Sequence, residues 1–419
     1  MQRALRYIFL CWELFPIGLY LCISYQKSVA EKIFIHEIRQ LAISYKTSLA
    51  FIMNEPYLAR MEKVTKQYDA VALLSGGLDS LLAVKVIQDQ GLTVKGLHFV
   101  TPFFGKPHKI RHWEKIYGIE IDAVNVSEEY VRMMVERPAH GFGKTLNPCV
   151  DCKILMLRKA HEMMESYGAQ FIITGEVLGQ RPMSQRKDTL NVIKRDADVQ
   201  SVLLRPLCAL CQPETEMEKS GLVQRDKLLG ISGRGRKEQL KLADHYGFTE
   251  IPSPGGGCKL TERENGRRYW PVLKYSPAPS VADFKLSNIG RQYWSGEHWM
   301  TVGRNQMDND SLLKVKLDSD LVFKVVDFPG PISIGRQFAD KEWTEETIAD
   351  AAMWAASYSP KAKKAGVPVE VSVVTGSEEN RTERTVTVTP ERKTPMAWAE
   401  WLWPDAKEEI RDEARARAK

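Results

Sequence analysis

The sequence predicts an α/β protein in which a parallel sheet carries helices on both faces, followed by a small α+β domain. Residues 70–74 form an apolar run of strand length, and a Gly/Ser turn and a helical pattern over 79–90 follow it. Strand-like runs then alternate with helical patterns as far as residue 205, and this rhythm is typical of a parallel sheet. After residue 300 several short β-like runs surround one clear helix, which indicates a second domain.

The composition is that of an ordinary globular protein. The 419 residues are 43% hydrophobic and 27% charged, which argues against wholesale disorder and predicts two or three domains. A net charge of +6 is compatible with nucleic-acid binding, and equally with a soluble basic enzyme. Seven cysteines do not suggest a secreted disulfide framework. A reducing compartment, the cytoplasm, is therefore expected.

The N-terminal extension, residues 1–60, contains an apolar segment over 4–24. Glu13 and Pro16 lie inside that segment and weaken a membrane-spanning helix. Three interpretations stay open: an extended or misassigned start with translation beginning at Met53 or Met61, a membrane or interfacial helix, and a docked soluble helix. We favour the first and expect no membrane partner.

The segment on which the prediction depends is SGGLDS, residues 75–80, at the end of the first strand. Free amides at a helix N-terminus and the helix dipole form a ready anion site. Gly76 and Gly77 allow the backbone to approach phosphate oxygens, and the Ser75 and Ser80 hydroxyls add donors. The motif lacks the lysine of the other common phosphate loop. The alternative is a strand–turn–helix corner without a ligand.

SGGLDS after a buried strand resembles the PP-loop of the ATP pyrophosphatases, which cleave ATP between the α- and β-phosphates and adenylate a carbonyl or carboxylate. The resemblance implies that residues 75–80 cradle pyrophosphate and that Asp79 helps to hold Mg²⁺. It also implies that His98, near the end of the next strand, contacts the adenine end of ATP, the alternative being a packing histidine.

TGEVLGQRPMSQ, residues 174–185, resembles the second nucleotide-contacting loop of PP-loop tRNA thiolases. The resemblance implies nucleotide contacts from Gly175 and Gln180, with Arg181 and Gln185 as further polar candidates. Each of these side chains, taken alone, could equally belong to a solvated loop.

The cysteines allow two metal-binding groupings. Cys149 and Cys152 lie one helical turn apart at a helix start, and together with Cys208 and Cys211 they make CxxC…CxxC, a plausible tetrahedral zinc site. With Cys258, in the Gly-rich loop 251–260, they make a three-cysteine set instead. A disulfide or persulfide relay without metal is a third possibility.

PCxxCK at residues 148–153 and PSxGGGC at 252–258 resemble a subgroup of PP-loop tRNA thiolases that hold a [4Fe–4S] cluster with three cysteines. The resemblance implies Cys149, Cys152 and Cys258 as ligands, with one iron left open for sulfide or persulfide. It also implies that Asp79, Cys149 and Cys258 are catalytic. We therefore favour the three-cysteine set over zinc.

Basic residues suggest two regions of the chain that contact RNA. Arg234, Arg236 and Lys237 form a compact cationic cluster that suits RNA phosphate or transition-state charge, although a solvated face is the ordinary explanation of such a run. VGRNQMDND and FKVVDFPGP, within residues 302–331, resemble the RNA-binding module of the NFACT ribosome-quality-control proteins, which touches tRNA. The histidine commonly seen near the D-x-P-G corner is not obvious here. Candidate phosphate contacts in this region are Arg304, Lys314 and Arg336.

The expected domain order is a PP-loop domain over 61–265, a linker over 266–297, the RNA-binding domain over 298–392 and a helical tail over 393–419. Within the RNA-binding domain we expect strands at 300–302, 312–317, 321–327, 367–374 and 386–389, turns at 308–309 and 318–319, and a helix over 343–358 capped by Thr344.

The predicted function is an ATP-dependent tRNA sulfurtransferase that adenylates a uridine carbonyl and replaces its oxygen with sulfur. Its cofactors would be ATP, Mg²⁺ and a [4Fe–4S] cluster, with zinc as the alternative metal. Its partners would be tRNA and a sulfur donor, either sulfide or a cysteine desulfurase, and a homodimer is possible. The alternatives are another PP-loop ligase with a structural zinc site and a non-catalytic tRNA-binding factor.

Overall fold

A short apolar strand, entirely buried, forms the centre of the first domain in the computed structural model. The model describes residues 67–252, 257–338 and 340–417, all within the second of two units, Met1–Lys66 and Gln67–Lys419. The predictions for residues 4–24 and for the start of the chain lie outside the described residues. Among the helices that are described, none has both the length and the apolarity needed to cross a bilayer.

Within the described chain, five parallel strands form the first sheet in the order β3-β2-β1-β4-β5. They are β1 (Ala70–Leu73), β2 (Val94–Val100), β3 (Glu120–Asn125), β4 (Phe171–Thr174) and β5 (Leu203–Leu204). Because the chain runs outward from β1 through β2 to β3 and then returns to the other side of β1, the strand order reverses between β1 and β4. Ligands of open α/β sheets bind at such a point, outside the carboxyl ends of the strands.

Helices cover both faces of this sheet, as the sequence predicted. They are α1 (Leu78–Gln88), α2 (Ile110–Tyr117), α3 (Ser127–Glu136), α4 (Cys149–Tyr167), α5 (Lys187–Asp196), α6 (Glu216–Lys219) and α7 (Lys237–His245). One apolar layer joins Leu81 and Ile87 of α1 to Trp113 of α2. The opposite layer joins Ile154 and Leu157 of α4 to the other side of the sheet. The apolar run of β1 is buried on both faces for this reason.

The segment over 266–297, expected to be a linker, consists mainly of packed secondary structure. It contains most of α8 (Arg263–Tyr275), all of α9 (Val281–Ser287) and β6 (Arg291–Ser295). Tyr269 of α8 and Phe284 of α9 are fully buried, and each packs its ring against Phe103, which follows β2. The segment is thus a shared layer of core between the two sheets.

The second sheet is antiparallel, with the order β11-β10-β8-β9-β7-β6 among the described strands. Its further strands are β7 (His298–Val302), β8 (Leu321–Val325), β9 (Ser333–Arg336), β10 (Val369–Thr375) and β11 (Thr382–Val388). The helices of the same region are α10 (Gln306–Val315), α11 (Glu345–Ala356), α12 (Pro360–Ala365) and α13 (Trp403–Arg417). Thr344 caps α11 by accepting a hydrogen bond from the Thr347 amide, as predicted.

The strand predicted over 312–317 is wrong, because residues 306–315 form the helix α10. Asn305 caps this helix by accepting a hydrogen bond from the Asp308 amide at 2.9 Å. The predicted turn at 308–309 lies inside the helix, whereas the turn at 318–319 is confirmed. The alternation of leucine and lysine misled the prediction, since Leu312 is buried and Leu313 is exposed, as one face of a helix requires.

Candidate functional site

Residues 75–80, which we call the phosphate loop after their predicted role, lead from the end of β1 into the first turn of α1. Gly76 has a φ of +74°, and a Cβ there would lie 2.3 Å from the Trp113 ring, so both its conformation and its surroundings require glycine. The Ser75 and Ser80 hydroxyl oxygens lie 3.3 Å apart, and Ser80 Oγ donates to the Gly77 carbonyl at 2.8 Å. The loop therefore presents the first amides of α1 beside two hydroxyls.

Gly175 allows the end of β4 to press against the first turn of α1. A Cβ at this position would lie 2.5 Å from the Asp79 carbonyl oxygen and from the Ser80 amide nitrogen. The residue predicted as a nucleotide contact therefore has a clear packing role, which is to bring β4 and the phosphate loop together at the point where the strand order reverses.

Asp79 is held by a chain of two glutamines. Gln180 donates to Asp79 Oδ2 at 2.7 Å, and the fully buried Gln239 donates to Gln180 Oε1 at 2.9 Å. A guanidinium nitrogen of Arg236 lies 3.8 Å from the same carboxylate oxygen. The other oxygen, Oδ1, is buried and has no hydrogen-bond partner among the described residues. Gln180 thus orients Asp79 in this structure, and its predicted contact with the nucleotide stays a prediction.

His98 lines the site but has both ring nitrogens occupied by backbone. The Lys106 amide donates to Nε2 at 2.7 Å, so Nε2 is the acceptor and Nδ1 carries the proton that is donated to the Leu74 carbonyl at 2.9 Å. Burial lowers the pKa of His98, which keeps the ring neutral. Both ring nitrogens are therefore used by backbone groups, and the predicted contact of His98 with the adenine end of ATP stays a prediction.

A cavity of about 480 Å³ brings the phosphate loop and three cysteines together. The predicted residues that line it are Ser75, Gly77, Asp79, Ser80, His98, Cys149, Cys152, Gly175, Arg181, Gln185 and Cys258. Cys149 and Cys152 lie in the first turn of α4, and Cys258 arrives from the loop before α8. Residues more than 170 positions apart thus meet at one concave surface.

The three thiols influence one another's ionisation. Burial raises the pKa of Cys152 to about 12, and the neighbouring Cys258 thiol adds to the effect. Burial likewise raises the pKa of Cys258 to about 11, with a contribution from Cys149. Without a cation both groups are therefore protonated at neutral pH. Among the residues that the structure describes, no group of three or more His, Cys, Asp or Glu side chains surrounds a single metal position.

Tyr130 of α3 places a hydroxyl beside these thiols. The residue is fully buried, its ring packs against Phe103 and Phe104, and it shares an apolar cluster with Cys152 and Cys258. Its hydroxyl has no hydrogen-bond partner of acceptable geometry in the described chain. Burial, followed by the nearby Cys152, raises the pKa of Tyr130 well above its usual value. The Cys152 thiol is thus the neighbour toward which this buried donor is directed.

A buried ion pair lies at the floor of the cavity. The Arg205 guanidinium donates to Glu176 Oε2 at 2.8 Å, and the Lys153 ammonium lies 3.9 Å from Oε1. Burial alone would raise the pKa of Glu176, but Arg205 and Lys153 outweigh it and hold the pKa below its usual value. None of these three residues is predicted from the sequence as a site residue, although Glu176 lies within the TGE motif and Lys153 within PCxxCK.

The four-cysteine zinc site is not assembled. Cys208 donates to the Glu176 carbonyl at 3.2 Å, and Cys211 donates to the Gly230 carbonyl at 3.3 Å. Neither thiol lines the cavity that holds Cys149 and Cys152. Cys208 is buried and Cys211 is partly exposed, and each thiol uses its proton in a bond to a backbone carbonyl.

The predicted RNA contacts differ in their accessibility. Arg234 and Lys237 are exposed, and Arg236 lies between them near Asp79, so this basic cluster lies at the phosphate loop. Arg304 is paired with Asp308 at 2.6 Å but keeps about half of its side chain exposed. Lys314 is exposed on α10 rather than on the predicted strand.

Arg336 does not suit an RNA contact, and this prediction is corrected. Its side chain is 1% exposed, donates to Asp283 of α9 and lies 2.7 Å from Asp320 through Nε. Two carboxylates enclose the guanidinium in the protein interior. Arg336 is therefore part of a buried ion-pair network that joins β9 to α9.

Comparison with known proteins places two similarities on the chain. Residues 65–217 match the family described as Thiamine biosynthesis protein (ThiI), and residues 290–401 match the NFACT protein RNA binding domain. A probable tRNA sulfurtransferase of Thermococcus kodakarensis is 29% identical over 155 residues, which are 35% of this chain and 39% of that protein. The tRNA sulfurtransferase of Shewanella amazonensis is 34% identical over 161 residues, 36% of this chain and 31% of that protein.

The similarity to these proteins is partial. The chain spans less than half the length of either of these two curated relatives. A solved structure described as a predicted subunit of tRNA methyltransferase from Methanocaldococcus jannaschii is 17% identical, and the match covers 33% of this chain and 69% of that one. Its TM-score of 0.25 is too low to establish a shared fold.

Proposed function

We propose that this chain, in which a PP-loop domain of the ThiI type precedes an NFACT-type RNA-binding domain, is an ATP-dependent tRNA sulfurtransferase. The observation that carries the proposal is the cavity that the phosphate loop shares with Cys149, Cys152 and Cys258. An adenylating site needs an anion-binding loop, and a thiolating site needs sulfur chemistry beside it. The names of the relatives, tRNA sulfurtransferases, support the same assignment.

ATP would bind with its phosphates at the amides of residues 75–80. Asp79 Oδ1, buried without a partner, is the oxygen best placed to take part in binding Mg²⁺, which commonly uses one or two carboxylates together with substrate phosphates. Gln180 holds the other oxygen and fixes the carboxylate in place. Arg236 and its neighbours add positive charge where the pyrophosphate develops.

The proposed thiolation of uridine proceeds in two steps, adenylation and substitution by sulfur, and neither step requires an oxidant or a reductant. The uridine carbonyl oxygen attacks the α-phosphorus, the bond from that phosphorus to the bridging oxygen breaks, and pyrophosphate leaves. Hydrosulfide then attacks the activated ring carbon, a C–S bond forms, the C–O bond breaks and AMP leaves with the original oxygen. The proton of hydrosulfide is released. The cavity's own residues bind and orient the two reactants and exclude water.

Cys149, Cys152 and Cys258 would hold the [4Fe–4S] cluster. Two observations fit this assignment: the thiols are close enough to raise one another's pKa, and the Tyr130 hydroxyl beside Cys152 makes no hydrogen bond of good geometry among the described residues. Binding to iron would stabilise the three cysteines as thiolates in spite of their raised pKa values. A sulfur atom of the cluster or of a ligating cysteine would accept the hydrogen bond from the Tyr130 hydroxyl. When bound, the cluster would supply an open iron for inorganic sulfide. Sulfide itself or a cysteine desulfurase would be the donor.

The C-terminal domain would hold the tRNA body through phosphate contacts, among them Lys314 and Arg304. Such contacts give position rather than base recognition. The five cysteines of the described chain are free thiols, which suits a reducing cytoplasm as the place of reaction.

The proposal is tested by the products of ATP cleavage. The anaerobically purified protein is incubated with α-labelled ATP, sulfide and unmodified tRNA transcripts, and the nucleotides are separated. We expect tRNA-dependent AMP, and we expect Asp79→Asn to reduce its rate by at least about 100-fold through loss of electrostatic stabilisation. The matched control is Asp188→Asn on the surface of α5, which should keep the wild-type rate. ADP as the product, or AMP formation unaffected by Asp79→Asn, would contradict the proposal.

A further inference from the structure

A second large concavity, about 620 Å³, lies between the first sheet and the helices that lead into the second. Val100 and Asn125, at the carboxyl ends of β2 and β3, form one wall. The other wall includes Lys285 of α9 and Lys314 of α10, and Lys259 comes from the loop before α8. We call this concavity the basic groove.

The charge of the basic groove has one sign. Of the described residues that line it three are lysines and none is an aspartate or glutamate. Lys285 and Lys314 are exposed, Lys259 is partly buried, and none of the three makes an ion pair with a described carboxylate. An unpaired set of cations in a groove attracts a polyanion.

A single loop separates the basic groove from the reaction cavity. Cys258 lines the cavity and the next residue, Lys259, lines the groove. Residues 259 and 260 are held in place, because the Lys259 amide donates to the Phe103 carbonyl at 2.9 Å and Thr145 Oγ1 donates to the Leu260 carbonyl at 2.7 Å. A phosphate bound at Lys259 would thus lie one residue along the chain from Cys258.

We propose that the basic groove binds the phosphodiester backbone of the RNA strand that carries the target uridine. The proposal rests on the proposed function and names the surface that delivers its substrate to the cavity. Three separate lysines on three segments suit successive phosphates of a strand better than one compact anion, and the groove leads from the RNA-binding domain to the cysteines. Such contacts position the strand without reading its sequence.

The test is the affinity for tRNA and its dependence on salt. Fluorescence anisotropy with a labelled, unmodified tRNA transcript compares the full chain with Lys285→Glu/Lys314→Glu. Each lost phosphate contact lowers the slope of log Kd against log salt by about 1, so we expect a slope smaller by about 2 and binding at least about tenfold weaker at low salt. The control, Lys115→Glu/Lys219→Glu, makes the same charge change outside the groove and should bind nearly as the wild type does.

The outcomes separate this proposal from the proposed function. Equally weakened tRNA binding in the two double variants would overturn the groove assignment. The assignment would also be overturned if inorganic pyrophosphate displaced the labelled tRNA as effectively as unlabelled tRNA does. If the groove variant bound tRNA normally while tRNA-dependent AMP was still formed, the groove assignment alone would fail. If the wild-type chain bound no tRNA and formed no AMP, the proposed function would fail with it.

Discussion

Single side chains in this protein show how far residue type alone predicts a role. Ser75, Asp79 and Cys258 were selected for the chemistry of their groups, and all three line the cavity. Arg336 was selected for its charge, yet it is buried between two carboxylates. A motif fixes the conformation of its own residues, whereas the burial of an isolated arginine depends on partners that lie distant in sequence.

The Arg336 correction has a measurable consequence for stability. Removing one partner of a buried ion pair leaves uncompensated charge, here on Asp283 and Asp320, and burial already raises the pKa of Asp320. We expect Arg336→Met to lower the free energy of unfolding by about 3–5 kcal/mol in urea denaturation. The control Arg304→Met removes a partly exposed pair and should cost about 0–1 kcal/mol. Equal losses in the two variants would show that Arg336 is not a buried structural cation.

Tyr130 tests the arrangement around the cysteines. Its unpaired hydroxyl should donate to a sulfur of the proposed cluster, and hydrogen bonds to sulfur stabilise the reduced state. We expect Tyr130→Phe to keep the iron content and the thermal midpoint but to lower the reduction potential measured by spectroelectrochemistry. Tyr117→Phe is the control, since that hydroxyl donates to the Glu250 carbonyl away from the thiols. An unchanged potential in Tyr130→Phe would mean that the hydroxyl has no sulfur acceptor.

At the scale of elements, the sequence predicted the first sheet better than the region after it. The strand–helix alternation of residues 70–205 is strong because each strand is a short, continuous apolar run. The misassigned strand at 312–317 shows that five or six alternating residues do not distinguish a strand from one end of an amphipathic helix. The capping residue Asn305 was the better signal there.

The segment expected as a linker was misjudged because of its prolines. Pro271 lies inside α8, where it would ordinarily interrupt a helix. The aromatic residues Tyr269, Trp270 and Phe284 are a stronger indication of core, and all are buried. A proline-containing segment with several aromatic residues is better predicted as packed structure than as a connection.

The segments that carry Cys258 and Cys208 belong to different proposed metal sites, so substituting each cysteine should affect metal binding differently. Iron–sulfur absorbance and iron content of anaerobically reconstituted protein should be lost in Cys258→Ala and kept in Cys208→Ala, because Cys208 is hydrogen-bonded to the Glu176 carbonyl outside the cavity. Circular dichroism of both variants controls for folding. Bound zinc that depends on Cys208, or iron retained in Cys258→Ala, would contradict the three-cysteine set.

At the scale of the whole molecule, the two domains share one apolar cluster. Phe103 and Tyr130 of the first domain pack in the same cluster as Trp299 of the second. Asn288 adds a polar contact, since its amide donates to the Pro102 carbonyl at 2.9 Å. No local pattern in the sequence encodes this docking, because it depends on complementary surfaces formed by residues more than 100 positions apart. The basic groove results from it.

The central claim is that the cavity shared by the phosphate loop and the three cysteines thiolates uridine in tRNA. The most direct measurement is mass spectrometry of nucleosides from unmodified tRNA incubated anaerobically with the protein, ATP and sulfide. We predict a thiouridine with the wild-type chain and with Cys208→Ala, and none with Cys258→Ala or without ATP. A thiouridine formed equally by Cys258→Ala, or the absence of any thiouridine with the iron-loaded wild-type protein, would contradict the claim.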